Sequence, residues 1–385
     1  MSFVLDKMLQ SISMQYAPKR QVTMNSKKPI YYPDYLALDT ILSAQNLESV
    51  KHGAPAHDEM LFVIVHQTFE LWFKQFLFEL DSVLEIFTKD FLQDEDMHLV
   101  ASRLERMVEI QKLMVSQFDV LETMSPADFL TFRDFLIPAS GFQSTQYKLI
   151  EKKLGIVLTQ GHDNYSMSVL ETKDQQSLKG PTLTLLDSVI RWQERNPFLE
   201  MGGYSFEKAY QKAIHDFTDY EIEKIRNHPV VSQEKISEEI KRMDIFQKNL
   251  EAIFNDELYD QEIIEGKKKF SRKAFLSVLF VRLYNQYAIL QMPHRILDLV
   301  IEVNEQHVLW KQRHLLIIQR MIGMKMGTGG TSGRAFLEKT IGQSYIFSDL
   351  IDMPSYMLSR QYIPEIPEEI RRKMGNFFSS AIGKS

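Results

Sequence analysis

The sequence predicts an all-α protein: a helical bundle core built from both chain halves, with an inserted helical hairpin subdomain. Three observations carry this. Apolar residues recur mostly at spacings of three and four rather than two, as helix faces require. Only 16 glycines and 13 prolines punctuate 385 residues, which allows long uninterrupted elements. No stretch shows the alternation of a half-buried strand.

Taken in order, the first helix is expected over about residues 34–49, in "YYPDYLALDTILSAQNL", with Tyr32 just before it and Tyr35 and Leu36 inside it. The second, over about 57–88, contains "LFVIVHQTFELWFKQF", apolar on nearly every face yet carrying His66 in its middle. Helices follow at about 97–119 and 126–136, the latter terminated by Pro138, and at about 141–153 with Ser140 as its N-cap. Thr159 to Thr182 is polar and weakly periodic and reads as a long loop. Helices at about 183–195, 205–226 and 232–255 are charged and amphipathic, like an exposed hairpin. The last three fall at about 271–290, 294–324 and 345–359. The strongest apolar helices lie before residue 155 and after residue 270, so about 159–265 reads as an insertion in one catalytic domain spanning 1–385.

Composition excludes several classes of function. A net charge of −6 provides no basic field for a nucleic acid or an anionic membrane. The chain has no cysteine, which removes disulfides, thiolate zinc, iron–sulfur clusters, covalent haem and a thiolate haem ligand together. Any metal or haem must be held by histidine or carboxylate. The N-terminal stretch carries Asp6 and lacks a signal-peptide pattern, and His66, Lys74 and Arg282 interrupt the most apolar helices, so the expectation is a cytoplasmic protein off the membrane.

Four constellations are candidates for chemistry. His66 shares a helix face with Phe62, Val63, Phe69 and Phe73, an aromatic wall with one polar ring. It reads either as a core histidine bonded to a backbone carbonyl or to Glu70 or Glu59, or as part of a flat apolar ligand site. In "WKQRHLLIIQRMIGMKMGTGGTSG", His314 faces a stripe of Trp310, Ile317, Ile318 and Met321. A satisfied core histidine and a proximal haem ligand both fit that setting, and two distant histidines suit the two sides of a planar cofactor better than zinc. Gly327, Gly329, Gly330 and Gly333 follow a helix and match no phosphate loop. A continuous helix would carry Thr328 about 21 Å from His314, whereas these glycines allow a fold-back or a plain helix cap. In "FRDFLIPASGFQSTQYKLIEKKLG", Arg133 has the planar fork that suits a carboxylate, or an ordinary surface ion pair. Exposed Tyr32 and Tyr35 suit an interface.

Taken together, these pieces resemble the tryptophan 2,3-dioxygenase family of haem enzymes. The resemblance runs from about Tyr32 to Arg360 and is densest in "YYPDYLALDTILSAQ", "HDEMLFVIVHQTFELWFKQFLFELDSV", "FRDFLIPASGFQSTQYKLIE" and "RHLLIIQRMIGMKMGTGGTSG". It implies haem b, ferrous in the active form, with His314 as the axial iron ligand, His66 as the distal histidine near the indole nitrogen, and Ser140 close to the haem edge. It places Arg133 and Thr328 on the substrate carboxylate and amino groups, and Phe62 and Phe69 in the pocket wall. Tyr32, Tyr35 and Leu36 match a segment that reaches into a neighbouring pocket, which implies a homotetramer. The implied reaction opens the indole C2–C3 bond of L-tryptophan with O2 to give N-formylkynurenine, the first step of the kynurenine pathway. Alternatives on the same scaffold are oxidation of another aromatic amino acid or indole derivative, or a haem sensor. The chain departs from the family at Lys311, where arginine is common, and at Arg334 and Ala335.

Overall fold

The structure is a computed structural model that describes residues 29–156, 182–230, 232–323, 325, 338 and 340–374. Thr328, its neighbouring glycines, Arg334, Ala335 and almost all of the expected loop after Thr159 lie outside the described residues. The chain divides into two compact units, Met1–Asn46 and Leu47–Ser385.

In the first unit, α1 (Tyr32–Leu36) and α2 (Leu38–Leu42) replace the single helix expected over 34–49. The break is at Ala37, whose φ of 50° is left-handed and ends α1. Neither helix buries a residue within its own unit.

The second unit opens with α3 (Glu48–Lys51) and the 30-residue α4 (Asp58–Phe87). Glu59, fully buried at the start of α4, accepts hydrogen bonds from the backbone N–H groups of Glu48 (2.8 Å) and Ser49 (2.9 Å), which caps α3. Next comes α5 (Asp94–Leu121), begun by a capping box between Gln93 and Asp96. α4 packs against α5, and α5 against the 35-residue helix near the C-terminal end, so the two chain halves share one core. Polar cross-links fix the register: Arg106 meets Glu79 at 2.7 Å, and the Gln111 side-chain amide donates to the Val303 carbonyl at 3.1 Å.

α6 (Pro126–Phe132) runs into 3-10 turns at Arg133–Leu136 and Gly141–Gln143, then α7 (Thr145–Leu154). α8 (Leu185–Gln193) precedes a two-residue antiparallel pair, β1 (Glu200–Met201) with β2 (Tyr204–Ser205), too short for alternation to reveal. α9 (Phe206–Arg226) and α10 (Gln233–Glu251) form the expected hairpin. It is not free-standing, because Phe206, Tyr210 and Ile214 of α9 are fully buried. Tyr210 donates to the Tyr356 carbonyl and accepts from the Leu358 N–H, each at 2.9 Å.

α11 (Asp256–Ile264), capped by Asn255, is a helix that its weak apolar periodicity hid. α12 (Arg272–Leu283) is buried on every face from Ala274 to Val281. α13 (Ala288–Ile322) runs through Pro293, where a break had been expected. Pro293 sits near the open N-terminal end and costs one ladder bond, which 29 further helical residues outweigh. α13 ends at Gly323, whose φ of 56° suits glycine. A helical turn at 340–343, α14 (Ser348–Ile351) and α15 (Glu368–Met374) complete the described chain. Among the described residues no helix is long and apolar enough to cross a membrane.

Candidate active site

His66 stands in the N-terminal third of α4, and its Nδ1 lies 2.7 Å from the Phe62 carbonyl oxygen. A carbonyl only accepts, so Nδ1 carries the proton and Nε2 keeps a lone pair. Of the partners considered from sequence, the backbone carbonyl is the one used: Glu59 caps α3, and Glu70 accepts from the Gln146 amide at 2.8 Å. The imidazole has exposed surface, yet surrounding protein desolvates it enough to hold its pKa below the ordinary histidine value, against the opposing pull of the Phe62 bond and Glu70. A ring both enclosed and accessible lines a concavity.

The wall of that concavity is aromatic. Phe62 lies 4.0 Å from the His66 ring and meets Phe129 at 5.6 Å and Phe132 edge-on at 5.7 Å. Phe69 leads the wall onto α5 through Phe118 (5.2 Å) and onto α13 through Trp310 (5.7 Å). Phe118 in turn stacks nearly parallel to His314, at 6.0 Å and 10°, and Trp310 is 5.1 Å from it. Three helices therefore present one continuous apolar surface from His66 to His314.

Burial pushes the His314 pKa down to about 4, and repulsion from His66 and then Lys311 adds to it. His314 is half-buried, and no hydrogen bond holds either of its ring nitrogens among the described residues. A neutral imidazole with a free nitrogen on a rigid helix is what a metal takes. Among the described residues no group of three His, Asp or Glu side chains is placed to hold a bare metal ion.

Beside His314 the Trp310 indole N–H and the Tyr147 hydroxyl, with ring centroids 4.9 Å apart, are buried without hydrogen-bond partners among the described residues. The apolar walls and the imidazole with a free nitrogen fit haem.

Arg133 caps the C-terminus of α6 and begins the following 3-10 turn, immediately after fully buried Phe132, which packs on Phe62. Its side chain is 12% exposed, and it lies 3.8 Å from the Asp134 carboxylate. Ser140 is an N-cap as expected, but of the 3-10 turn at Gly141–Gln143: its Oγ accepts from the Phe142 N–H, and its own N–H donates to Gln143 Oε1 at 3.1 Å. Ser144 caps α7 itself. Thr328 lies outside the described residues. Tyr32 and Tyr35, 70% and 75% exposed, and half-buried Leu36 belong to the first unit.

Sequence reasoning missed Phe118 and Tyr147. Phe118 and Tyr147 join the site only through contacts between helices, which one-helix periodicity does not report.

A family model described as tryptophan 2,3-dioxygenase matches residues 17–357. The chain is 40% identical to the tryptophan 2,3-dioxygenase of Bdellovibrio bacteriovorus over 90% of this chain and 98% of the relative. It is 39% identical to that of Dictyostelium discoideum (91% and 89%) and 34% identical to that of Anopheles gambiae (91% of each). The match covers both helices that carry the facing histidines, and on it the chain belongs to the tryptophan 2,3-dioxygenase family.

Proposed function

We propose that the protein uses haem b and O2 to open the indole C2–C3 bond of L-tryptophan, giving N-formylkynurenine, the first step of the kynurenine pathway. The observation that carries this is the pair of neutral imidazoles, His66 on α4 and His314 on α13, set on one aromatic surface. His314 holds the iron. Bound haem in its ferrous form supplies the activation of O2 and the delivery of both oxygen atoms to the indole. The protein supplies orientation and exclusion of water.

His66 has its Nδ1 proton committed to the Phe62 carbonyl, so its Nε2 is free to accept the indole N–H. Phe62 and Phe69 form the wall against which the indole lies. Arg133 pairs with the substrate carboxylate, Thr328 contacts the carboxylate and amino groups, and Ser140 lies close to the haem edge. Every atom of tryptophan and O2 is retained in the product, so no external reductant is consumed.

The assembly we infer is a homotetramer in which Tyr32, Tyr35 and Leu36 reach a neighbouring subunit's pocket. Ile30, Tyr31, Tyr32, Tyr35 and Leu42 are all about 70% exposed, apolar surface of the kind a second copy covers. The cytoplasm is the proposed location, with about 159–265 as an insertion in one catalytic domain.

The test is an optical spectrum of the reduced, haem-loaded protein in air after adding L-tryptophan. A histidine-ligated haem spectrum with growing N-formylkynurenine absorbance and oxygen uptake supports the proposal. Haem binding without product, or turnover of indole or tyrosine only, overturns it.

A further inference from the structure

We propose that Lys311 is a positioning residue: with Glu151 it forms a buried clamp that sets the helix carrying His314 against α7. The inference rests on His314 as the iron ligand, and concerns how that ligand is held.

Lys311 is 1% exposed, on the face of α13 turned away from water. Its ammonium has three N–H donors and three acceptors around it: Glu151 Oε1 at 2.6 Å, Ser344 Oγ at 2.9 Å and the Thr340 carbonyl at 3.3 Å. Glu151, itself 6% exposed, comes from α7, and Thr340 and Ser344 come from the segment that follows the glycine-rich stretch. One side chain thus ties together three parts of the chain. Ser344 is fixed in turn by donating to the Thr340 carbonyl at 2.8 Å, and the Asn304 amide, also on α13, donates to the Ser344 carbonyl.

The clamp lies close enough to matter to the ligand. Lys311 precedes His314 by three residues, about 4.5 Å along the axis and on an adjoining face. α7 also carries Tyr147, which stacks on His307 (5.7 Å, 16°) and packs at a tilt against Trp310 (4.9 Å), and Trp310 touches His314. A shift of α7 therefore reaches the His314 ring through Trp310. A buried ion pair is a weak device for stability and is better suited to fixing register. The full three-way coordination of a lysine in place of the family's arginine fits that use, since a planar five-donor fork would leave donors unpaired here.

The experiment compares haem-loaded wild type, Lys311→Met, the double variant Lys311→Met with Glu151→Leu, and the mild variant Ser344→Ala. Four quantities are read: the thermal midpoint, the iron–imidazole stretching band of the ferrous protein, and kcat and KM for L-tryptophan. Lys311→Met is expected to melt lower, shift the band and reduce kcat/KM on the order of 10- to 100-fold, as displacement of a catalytic group does. The double variant, with neither charge left buried alone, regains most of the melting point but keeps the shifted band and low kcat/KM. Should Lys311→Met not fold, Ser344→Ala must still shift the band with melting close to wild type. A wild-type band and kcat/KM in the double variant, or an unmoved band in Ser344→Ala, makes the pair merely structural and overturns the proposal. If wild type shows no iron–imidazole band that His314→Ala abolishes, the ligand assignment itself fails, a distinct result.

Discussion

His307 offers a quantitative test of how the core around the site is built. Its ring is 3% exposed, its Nε2 has no hydrogen-bond partner among the described residues, and a carboxylate oxygen of Glu151 lies 4.0 Å away, engaged by Lys311. Burial, and then the Lys311 charge, push its pKa down to about 3. An unfolded histidine titrates near 6.5, so the native state binds fewer protons than the unfolded chain below that pH. Its share of stability is whole above about pH 6.5, falls as the pH drops, and stops falling near 3. Between pH 7 and pH 5 this group alone should destabilise the fold by about 2 kcal/mol, the cost of leaving a proton that the unfolded chain would take. His307→Phe keeps the stack on Tyr147 and removes the titration. Any packing penalty of the larger ring is the same at both pH values and cancels. Urea unfolding of wild type and variant at pH 7 and pH 5 should therefore show the variant losing about 2 kcal/mol less on acidification. Equal losses would mean that His307 is protonated in the native protein, and the account of a neutral buried ring would be wrong.

Other consequences concern the site and its supports. His314→Ala should fail to retain haem, read as loss of the visible absorbance after gel filtration. Arg133→Ala leaves the substrate carboxylate unpaired in a desolvated site and should cost about 2–5 kcal/mol of tryptophan binding, seen mainly as a raised KM. His66→Phe removes the Nε2 acceptor and should weaken tryptophan binding by about 2- to 10-fold, the net worth of one hydrogen bond. Wild type and that variant should treat 1-methyl-L-tryptophan alike, because it has no indole N–H to offer. Glu59→Ala strips the cap from α3, leaving the Glu48 and Ser49 N–H groups unpaired, and should cost about 1–3 kcal/mol in a denaturant titration.

What was legible in the sequence was whatever a single helix reports about itself. The long helices α4, α5 and α13 announce themselves by apolar spacing, and Pro138 and Ser140 mark the passage from α6 to α7. Arg133, His66 and His314 were legible as polar exceptions on apolar faces. The break at Ala37 was not, because alanine rarely adopts a left-handed φ and nothing in its neighbours signals it. α11 was missed since only Tyr259 is buried and its periodicity is weak. The partners of Lys311 were invisible for another reason: Glu151 is 160 residues away, and pairing at that separation is decided by how helices pack.

Three histidines on apolar helix faces show where one-helix reading stops. His66, His307 and His314 have nearly the same local pattern, with aromatic or aliphatic residues three and four positions away. Burial lowers the pKa of all three, so each is a neutral ring. Their chemistry is then set by what the ring nitrogens meet. His66 spends Nδ1 on the Phe62 carbonyl, which fixes its tautomer and leaves a lone pair on a surface a substrate can reach. His307 is sealed between Tyr147 and the Lys311–Glu151 pair, so its unpaired Nε2 meets neither solvent nor ligand. His314 has neither the carbonyl bond of the first nor the closed surroundings of the second, and its ring reaches the same aromatic surface as His66. Among the described residues it is the ring with a nitrogen left for a metal, because an imidazole can serve a metal only where no protein group has taken its lone pair.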